Sequence, residues 1–403
     1  MSWAVGRCPG RQVESLNQRV RTLDHFSRQL SELDAKGRRR ELVPRRLDGP
    51  WIVLADGRRL INFGGNDYLG LATRSVDSVA TGAGSGASPL VCGWTDAHQR
   101  LAETLASFEG TESAVLFPSG YAACSGTVAT LAGEGDLILS DQLNHASLID
   151  GCRLSRARTT VFAHRDCQEL EQILSRCRDE FAQVWIVTDG VFSMDGHLAP
   201  LRELCEIAER FGAHLIVDEA HATGVLGETG SGLCEALGVK DRVAVRIGTL
   251  SKAIGSQGGF VAAKRVVVDY LINRARSLIY STALSPLAVA AAEDALRQIA
   301  SQPQRRVALE QLARSTRRGL GIQVDPPEDS VPIIPVIVGE DARAVRFSQM
   351  LAGAGFYVPA IRPPTVPEGT ARLRISLSAL HQPTMLENLL RQFEALPSGP
   401  GYH

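Results

Sequence analysis

Gly248-Thr-Leu-Ser-Lys-Ala-Ile-Gly-Ser-Gln-Gly-Gly259 sets one lysine, Lys252, among small and hydroxylated residues. With no acidic residue in the run, this lysine has little value as an ion-pair partner and more as an amine that can meet a carbonyl closely. Upstream, Ile216-Val-Asp-Glu-Ala-His-Ala-Thr-Gly224 is an apolar strand ending in the carboxylate of Asp218 and the imidazole of His221. A lysine for a Schiff base and an aspartate for a pyridinium nitrogen together read as a pyridoxal-phosphate site.

Around these two stretches, short apolar runs alternate with helical periodicity. Ala114–Phe117, Leu137–Leu139, Val184–Thr188, Leu215–Val217, Val243–Ile247 and Gly259–Ala262 are candidate strands. Helical patterns at His98–Phe108, Leu198–Phe211 and Val266–Ile279 lie between several of them. In the second of these, Leu201, Leu204, Cys205, Ala208 and Phe211 recur at three and four, with Arg202, Glu206 and Arg210 facing outward. The alternation predicts an α/β fold, a mostly parallel central sheet with helices on both faces. Ligands of such sheets gather at the carboxyl ends of the strands, where Asp218 falls.

After Ser301 the pattern changes. Val331–Val338, Phe356–Ile361 and Leu373–Leu377 read as strands, and Asp341–Ala354 and Met385–Leu396 as helices. The expected domains are an N-terminal helical arm (1–47), a large α/β domain (48–290) and a smaller C-terminal α+β domain (291–403).

Bulk properties narrow the function. The 403 residues can bury a large core, and a net charge of −1 with no long basic run gives no nucleic-acid footprint. The densest basic cluster, Arg38-Arg39-Arg40 with Arg45-Arg46, reads first as solvated surface. No apolar stretch is long enough to span a bilayer, and Met1–Arg7 lacks the apolar core of a secretory signal. Cysteines at 8, 92, 124, 152, 167, 177, 205 and 234 are scattered without a C-x-x-C pair. No metal site or disulfide framework is expected from them, and a reducing cytoplasm is.

Other residues bear on the chemistry. Ser119-Gly120-Tyr121 follows the strand Ala114–Phe117 and opens a helix, so its backbone amides suit a phosphate. Alone, it reads better as an ordinary strand-to-helix turn. Thr249 and Ser251 flank Lys252 and could donate hydroxyls to the same phosphate, or mark only a polar turn. His145, just beyond Leu137–Leu139, could stack on a flat heteroaromatic ring, although a lone histidine is usually structural. His221 could reach the ring's phenolic oxygen if Asp218 bonds the ring nitrogen.

Asn66-Asp-Tyr-Leu-Gly-Leu71, Ser119-Gly-Tyr-Ala-Ala, Leu143-Asn-His-Ala-Ser-Leu-Ile-Asp-Gly151, Gly190-Val-Phe-Ser-Met-Asp-Gly196, Val217-Asp-Glu-Ala-His-Ala-Thr-Gly224 and Gly248-Thr-Leu-Ser-Lys252 together resemble the α-oxoamine synthases. These are pyridoxal-phosphate enzymes of the aspartate-aminotransferase fold (fold type I), and the resemblance runs in family order from about Asn62 to His381. Leu278-Ile-Tyr-Ser-Thr-Ala and the long Ala360-Ile-Arg-Pro-Pro-Thr-Val-Pro-Glu-Gly-Thr-Ala-Arg-Leu-Arg374 resemble the biotin-pathway branch.

That resemblance implies roles. Lys252 would carry the cofactor and shuttle the Cα proton, Asp218 would keep the pyridine nitrogen protonated, and His145 would stack on the ring. His221 would bond the phenolic oxygen, with Ser193. Gly120, Tyr121, Thr249 and Ser251 would hold the phosphate, with Thr282 reaching across from a second subunit of a homodimer. Asn66 and Arg374 would grip the amino-acid carboxylate, and Arg38 and Arg362 the far end of the acyl chain. The implied reaction joins L-alanine to pimeloyl-CoA or a pimeloyl-acyl carrier protein with loss of carbon dioxide.

Four positions depart from the family pattern: Pro89, Trp94, Cys124 and Asp189. Trp94 is expected near the amino-acid pocket, and none of the four is expected to touch the Lys–Asp–His core. They bear on substrate choice. The alternatives are another α-oxoamine synthase, such as a glycine C-acetyltransferase, and a catalytically silent partner subunit, which need not keep the lysine.

Overall fold

The computed structural model describes residues 24–75 and 82–397; Met1–Arg7 and Cys8 lie outside the described residues. The chain divides between Val43 and Pro44 into two compact units. The first carries the helix Asp24–Ala35, on which no residue is buried.

The second unit is organised by a seven-stranded sheet. Its strands are β1 (Ser113–Phe117), β2 (Leu137–Asp141), β3 (Arg158–Phe162), β4 (Val184–Asp189), β5 (His214–Asp218), β6 (Val245–Thr249) and β7 (Gly259–Ala263). They lie in the order β1-β7-β6-β5-β4-β2-β3, and β7 alone runs antiparallel to its neighbours. Strands β2, β4 and β6 are buried along their whole length, the mark of a sheet covered on both faces. Period-two alternation divides the apolar residues between two cores. Leu116, Leu139, Ile186 and Leu215 enter one, and Val115, Ile138, Val187 and Ile216 enter the other.

The reversed strand positions the lysine. Because β7 turns back beside β6, with Gly259 opposite Thr249, the connecting loop Leu250–Gly258 stays at the carboxyl ends of the parallel strands. Asp141, Asp189 and Asp218 close β2, β4 and β5 at that same end.

Two smaller sheets complete the described residues. Ile333–Gly339, Ala371–Ser376 and Ala360–Ile361 form a three-stranded sheet, and Phe356–Tyr357 pairs in parallel with Arg59–Asn62 in a four-stranded one. The run Phe356–Ile361, expected as one strand, is therefore two. Pro359, which has no N–H to donate, lies between the two ladders. The Val266–Ile279 helix also breaks at Ala275, into Arg265–Arg274 and Arg276–Ile279. The helix expected from Leu198 begins at Leu201, after Pro200. Edge strand β3, Arg-Thr-Thr-Val-Phe, escaped the apolar scan because only Phe162 in it is buried.

Among the described residues no helix is long and apolar enough to cross a membrane, and no His/Cys/Asp/Glu group could hold a metal ion. All seven described cysteines are free thiols.

Candidate active site

Asp218, the last residue of β5, is buried, and both its carboxylate oxygens are engaged. Oδ1 accepts the Ala220 amide at 2.9 Å, and the Cys124 Sγ lies 3.1 Å from Oδ2. Asp189 is its register partner on β4, so two buried acids lie side by side. Burial, reinforced by Asp218, pushes Asp189 far above the usual carboxylate range. Lys252 faces this pair from the β6–β7 loop. Burial lowers its pKa, and Arg374 adds to that, while Asp218, Asp189 and Cys124 oppose it. The net shift is downward, toward the neutral amine that can add to a carbonyl.

His145 caps the helix Ala146–Leu154. Its Nδ1 lies 2.6 Å from Ser147 Oγ, and its amide donates to Asp189 Oδ1 at 3.2 Å. Desolvation and the nearby Lys252 lower the imidazole's pKa, against the pull of Asp218. The ring is exposed, with a face available to stack.

A hydrogen-bonded chain links the remaining expected residues. His221 Nδ1 lies 2.6 Å from the Tyr68 hydroxyl, which is also 3.2 Å from Asn66 Oδ1. Asn66 Oδ1 accepts Arg374 Nη2 at 3.2 Å. The other guanidinium nitrogens donate to the Ser193 carbonyl and to Ser376 Oγ, each at 2.6 Å. Arg374 is thus fixed on three sides while buried to 4 % exposure. Burial drives His221 well below its ordinary pKa and raises that of Tyr68, so a neutral imidazole meets a protonated phenol.

The turn after β1 forms an anion cradle. Ser119 caps the helix Gly120–Leu131 by accepting the Ala122 amide at 3.1 Å. The first amides of any such helix have no intrahelical acceptor and point outward. A Cβ on Gly120 would lie 3.1 Å from the Thr249 side chain, and one on Gly259 would lie 2.6 Å from the Ser119 carbonyl. Glycine at both positions lets the cradle close on Thr249, whose Oγ1 lies 2.8 Å from Ser251 Oγ.

These placements sharpen the sequence reading. Ser193 supplies its carbonyl to Arg374. The Tyr121 hydroxyl bonds Asp150, leaving its amide for the cradle. Thr282 is exposed on a cleft lined also by Trp94, His98 and Phe117. Arg362 follows Ile361, which pairs with Arg372 on the strand that carries Arg374. Arg372 itself pairs with Asp195. Arg38 belongs to the first unit, where its amide bonds the Leu33 carbonyl at 2.7 Å.

One expectation about the departures needs correction. Cys124 touches Asp218 directly, because one turn of helix beyond Gly120 brings residue 124 over the end of β5. Asp189 lies beside the same carboxylate. Trp94 bonds Gln99 at 3.1 Å and packs on His98. Tyr68, Ser147 and Ser376 join the site without a separate signal in the sequence. The one available hint is a tyrosine followed by Leu69-Gly-Leu71, since a buried phenol requires a partner.

A lysine biased toward its neutral form, a buried carboxylate, an exposed imidazole, a second imidazole tied to a phenol and a helix-end cradle fit the distinct edges of pyridoxal phosphate. The family model for aminotransferase class I and II matches residues 58–393. An 8-amino-7-oxononanoate synthase of Anaeromyxobacter dehalogenans is 47% identical, covering 94% of this chain and 98% of its own. One from Lysinibacillus sphaericus is 42% identical over 93% and 98%. The solved Sphingomonas wittichii serine palmitoyltransferase superposes with a TM-score of 0.85 at 32% identity, covering 93% of this chain and 96% of its own.

Proposed function

The chain belongs to the aminotransferase class I and II family, and from that premise we propose that it joins L-alanine to a pimeloyl thioester. The products are 8-amino-7-oxononanoate, carbon dioxide and the free thiol carrier, a step of biotin biosynthesis. The enzyme is a pyridoxal-phosphate-dependent acyltransferase. The observation that carries this reading is the placement of the Lys252 loop and the buried Asp218 at the same carboxyl ends of the sheet, with Arg374 buried and fixed by Ser193, Ser376 and Asn66.

When bound, the cofactor supplies an electron sink for the bonds broken at the amino-acid Cα. The protein's residues do the rest. Gly120, Tyr121, Thr249 and Ser251 hold the phosphate, Asp218 holds the proton on the ring nitrogen, and His145 covers one ring face. His221 would meet the phenolic oxygen through Nε2, its Nδ1 being held by the Tyr68 hydroxyl at 2.6 Å. Arg374, preset by Ser193, Ser376 and Asn66, takes the alanine carboxylate and so orients the Cα–H bond. Lys252, neutral, accepts the Cα proton and returns it after decarboxylation. Arg362 meets the distal carboxyl or ester of the pimeloyl chain.

The same proposal includes a homodimer with Thr282 reaching the neighbouring phosphate, and a cytoplasmic location. It also includes the division into an arm (1–47), a large domain (48–290) and a small one (291–403). Pimeloyl-CoA and a pimeloyl-acyl carrier protein are both admissible donors.

Thiol release, measured with alanine, glycine or serine crossed against pimeloyl-CoA and acetyl-CoA, tests the reading. Selective turnover of alanine with pimeloyl-CoA, giving the aminoketone and carbon dioxide, is expected. Turnover only with glycine and acetyl-CoA would replace this reading with the acetyltransferase-like one. No turnover with any pair would favour the silent-subunit alternative.

A further inference from the structure

We propose that Cys124 is a positioning residue for this reaction: its thiol holds Oδ2 of Asp218 and, with the Ala220 amide on Oδ1, sets the plane of that carboxylate. The proposal rests on reading Asp218 as the partner of the cofactor's ring nitrogen.

Three observations carry it. Cys124 is only 2 % exposed, and its Sγ sits 3.1 Å from Asp218 Oδ2. The opposite oxygen, Oδ1, is already held by the Ala220 amide at 2.9 Å, so the two contacts together fix the plane of the carboxylate. Cys124 also shares a helix with the phosphate cradle, one turn after Gly120. A single rigid element thus sets both the phosphate end and the nitrogen end of the site.

The choice of sulfur has a chemical consequence. Burial and the adjacent Asp218 keep the thiol protonated, so it can act only as a donor toward this carboxylate. An S–H is a weak donor. It can orient the aspartate while competing little with a pyridinium N–H for the same lone pairs. A hydroxyl would orient it comparably and compete more.

The test uses the full-length protein, stripped of cofactor and titrated with pyridoxal phosphate. The variants are Cys124→Ala and Cys124→Ser, each made in wild-type and Asp218→Asn backgrounds. Cofactor affinity and the pH midpoint of the bound cofactor's visible absorbance are the readouts. Cys124→Ala should weaken binding by about three- to tenfold, the span of single hydrogen bonds, and shift the pH midpoint. Cys124→Ser should restore most of both, and in the Asp218→Asn background Cys124→Ala should change neither. Equal losses in both backgrounds would reduce Cys124 to packing and overturn the proposal. So would an unchanged Cys124→Ala protein in which Asp218→Asn alone has an effect. An Asp218→Asn protein indistinguishable from wild type would overturn the reading of Asp218 itself, and this proposal with it.

Discussion

Removing one oxygen atom, in Tyr68→Phe, probes the link between the two halves of the site. The ring is fully buried, and the substitution keeps its volume, so no cavity opens. What is lost is the hydroxyl that meets His221 Nδ1 at 2.6 Å and Asn66 Oδ1 at 3.2 Å. Asn66 keeps the Arg374 Nη2 bond at 3.2 Å, whereas the buried Nδ1 of His221 loses its hydrogen-bond partner. Leaving one buried polar group unpaired costs about 1–3 kcal/mol, which sets the expected loss of stability. If that lost bond matters to the chemistry, kcat should fall about tenfold, equivalent to roughly 1.4 kcal/mol in the barrier. The amino-acid KM should rise only a few-fold, because Arg374 keeps its other anchors. Steady-state kinetics with alanine, together with the pH titration of the bound cofactor's visible absorbance, separate these effects. Unchanged kcat and an unchanged pH midpoint would refute the argument that Tyr68 sets the state of His221.

Other parts of the account are open to similar tests. Arg374→Lys loses the planar fork that bonds Ser193, Ser376 and Asn66 together, and the alanine KM should rise about ten- to a hundredfold, as expected for charged hydrogen bonds; an unchanged KM would remove Arg374 from the clamp. Gly120→Ala places a Cβ 3.1 Å from Thr249, so equilibrium titration should show weaker binding of pyridoxal phosphate with little change in urea midpoint. His381 packs on Phe63 at 4.2 Å, accepts the Ser378 amide and bonds the Asn62 carbonyl at 3.0 Å, and burial pushes its pKa down to about 4. Below about pH 6.5 the unfolded chain binds a proton at this position that the folded chain refuses until about pH 4. Its stabilisation is therefore complete above that window and is lost as pH falls through it, by an amount on the order of 3 kcal/mol. The difference in urea midpoint between wild type and His381→Gln, followed across pH, checks this, and a difference that stays constant between pH 4 and 6.5 would contradict it.

Much of the framework was legible in the residues because its signals are local. Apolar runs found the buried strands β2, β4 and β5, and the small-residue run around Lys252 marked a loop held at the strand ends. The edge strand Arg158–Phe162 stayed hidden because strands flanked on one side need few apolar residues. Contacts between distant segments were harder still. Nothing in Ser119-Gly-Tyr-Ala-Ala-Cys124 reports that its last thiol will meet a carboxylate 94 positions later. Likewise, only the fold shows that Asn66 and Arg374 share a bond across 308 positions. The motifs supplied residue types, and the sheet supplied the distances.

The chain's lysines are Lys36, Lys240, Lys252 and Lys264, which makes the central assignment directly measurable. The protein is loaded with pyridoxal phosphate, reduced with borohydride, digested and mapped by mass spectrometry. Lys36 and Lys264 are exposed, and Lys240 Nζ bonds Ser231 Oγ at 2.9 Å. A phosphopyridoxyl group on Lys252 alone, at one per chain, is the predicted result. Labelling spread over the exposed lysines with Lys252 unmodified would contradict the account at its root.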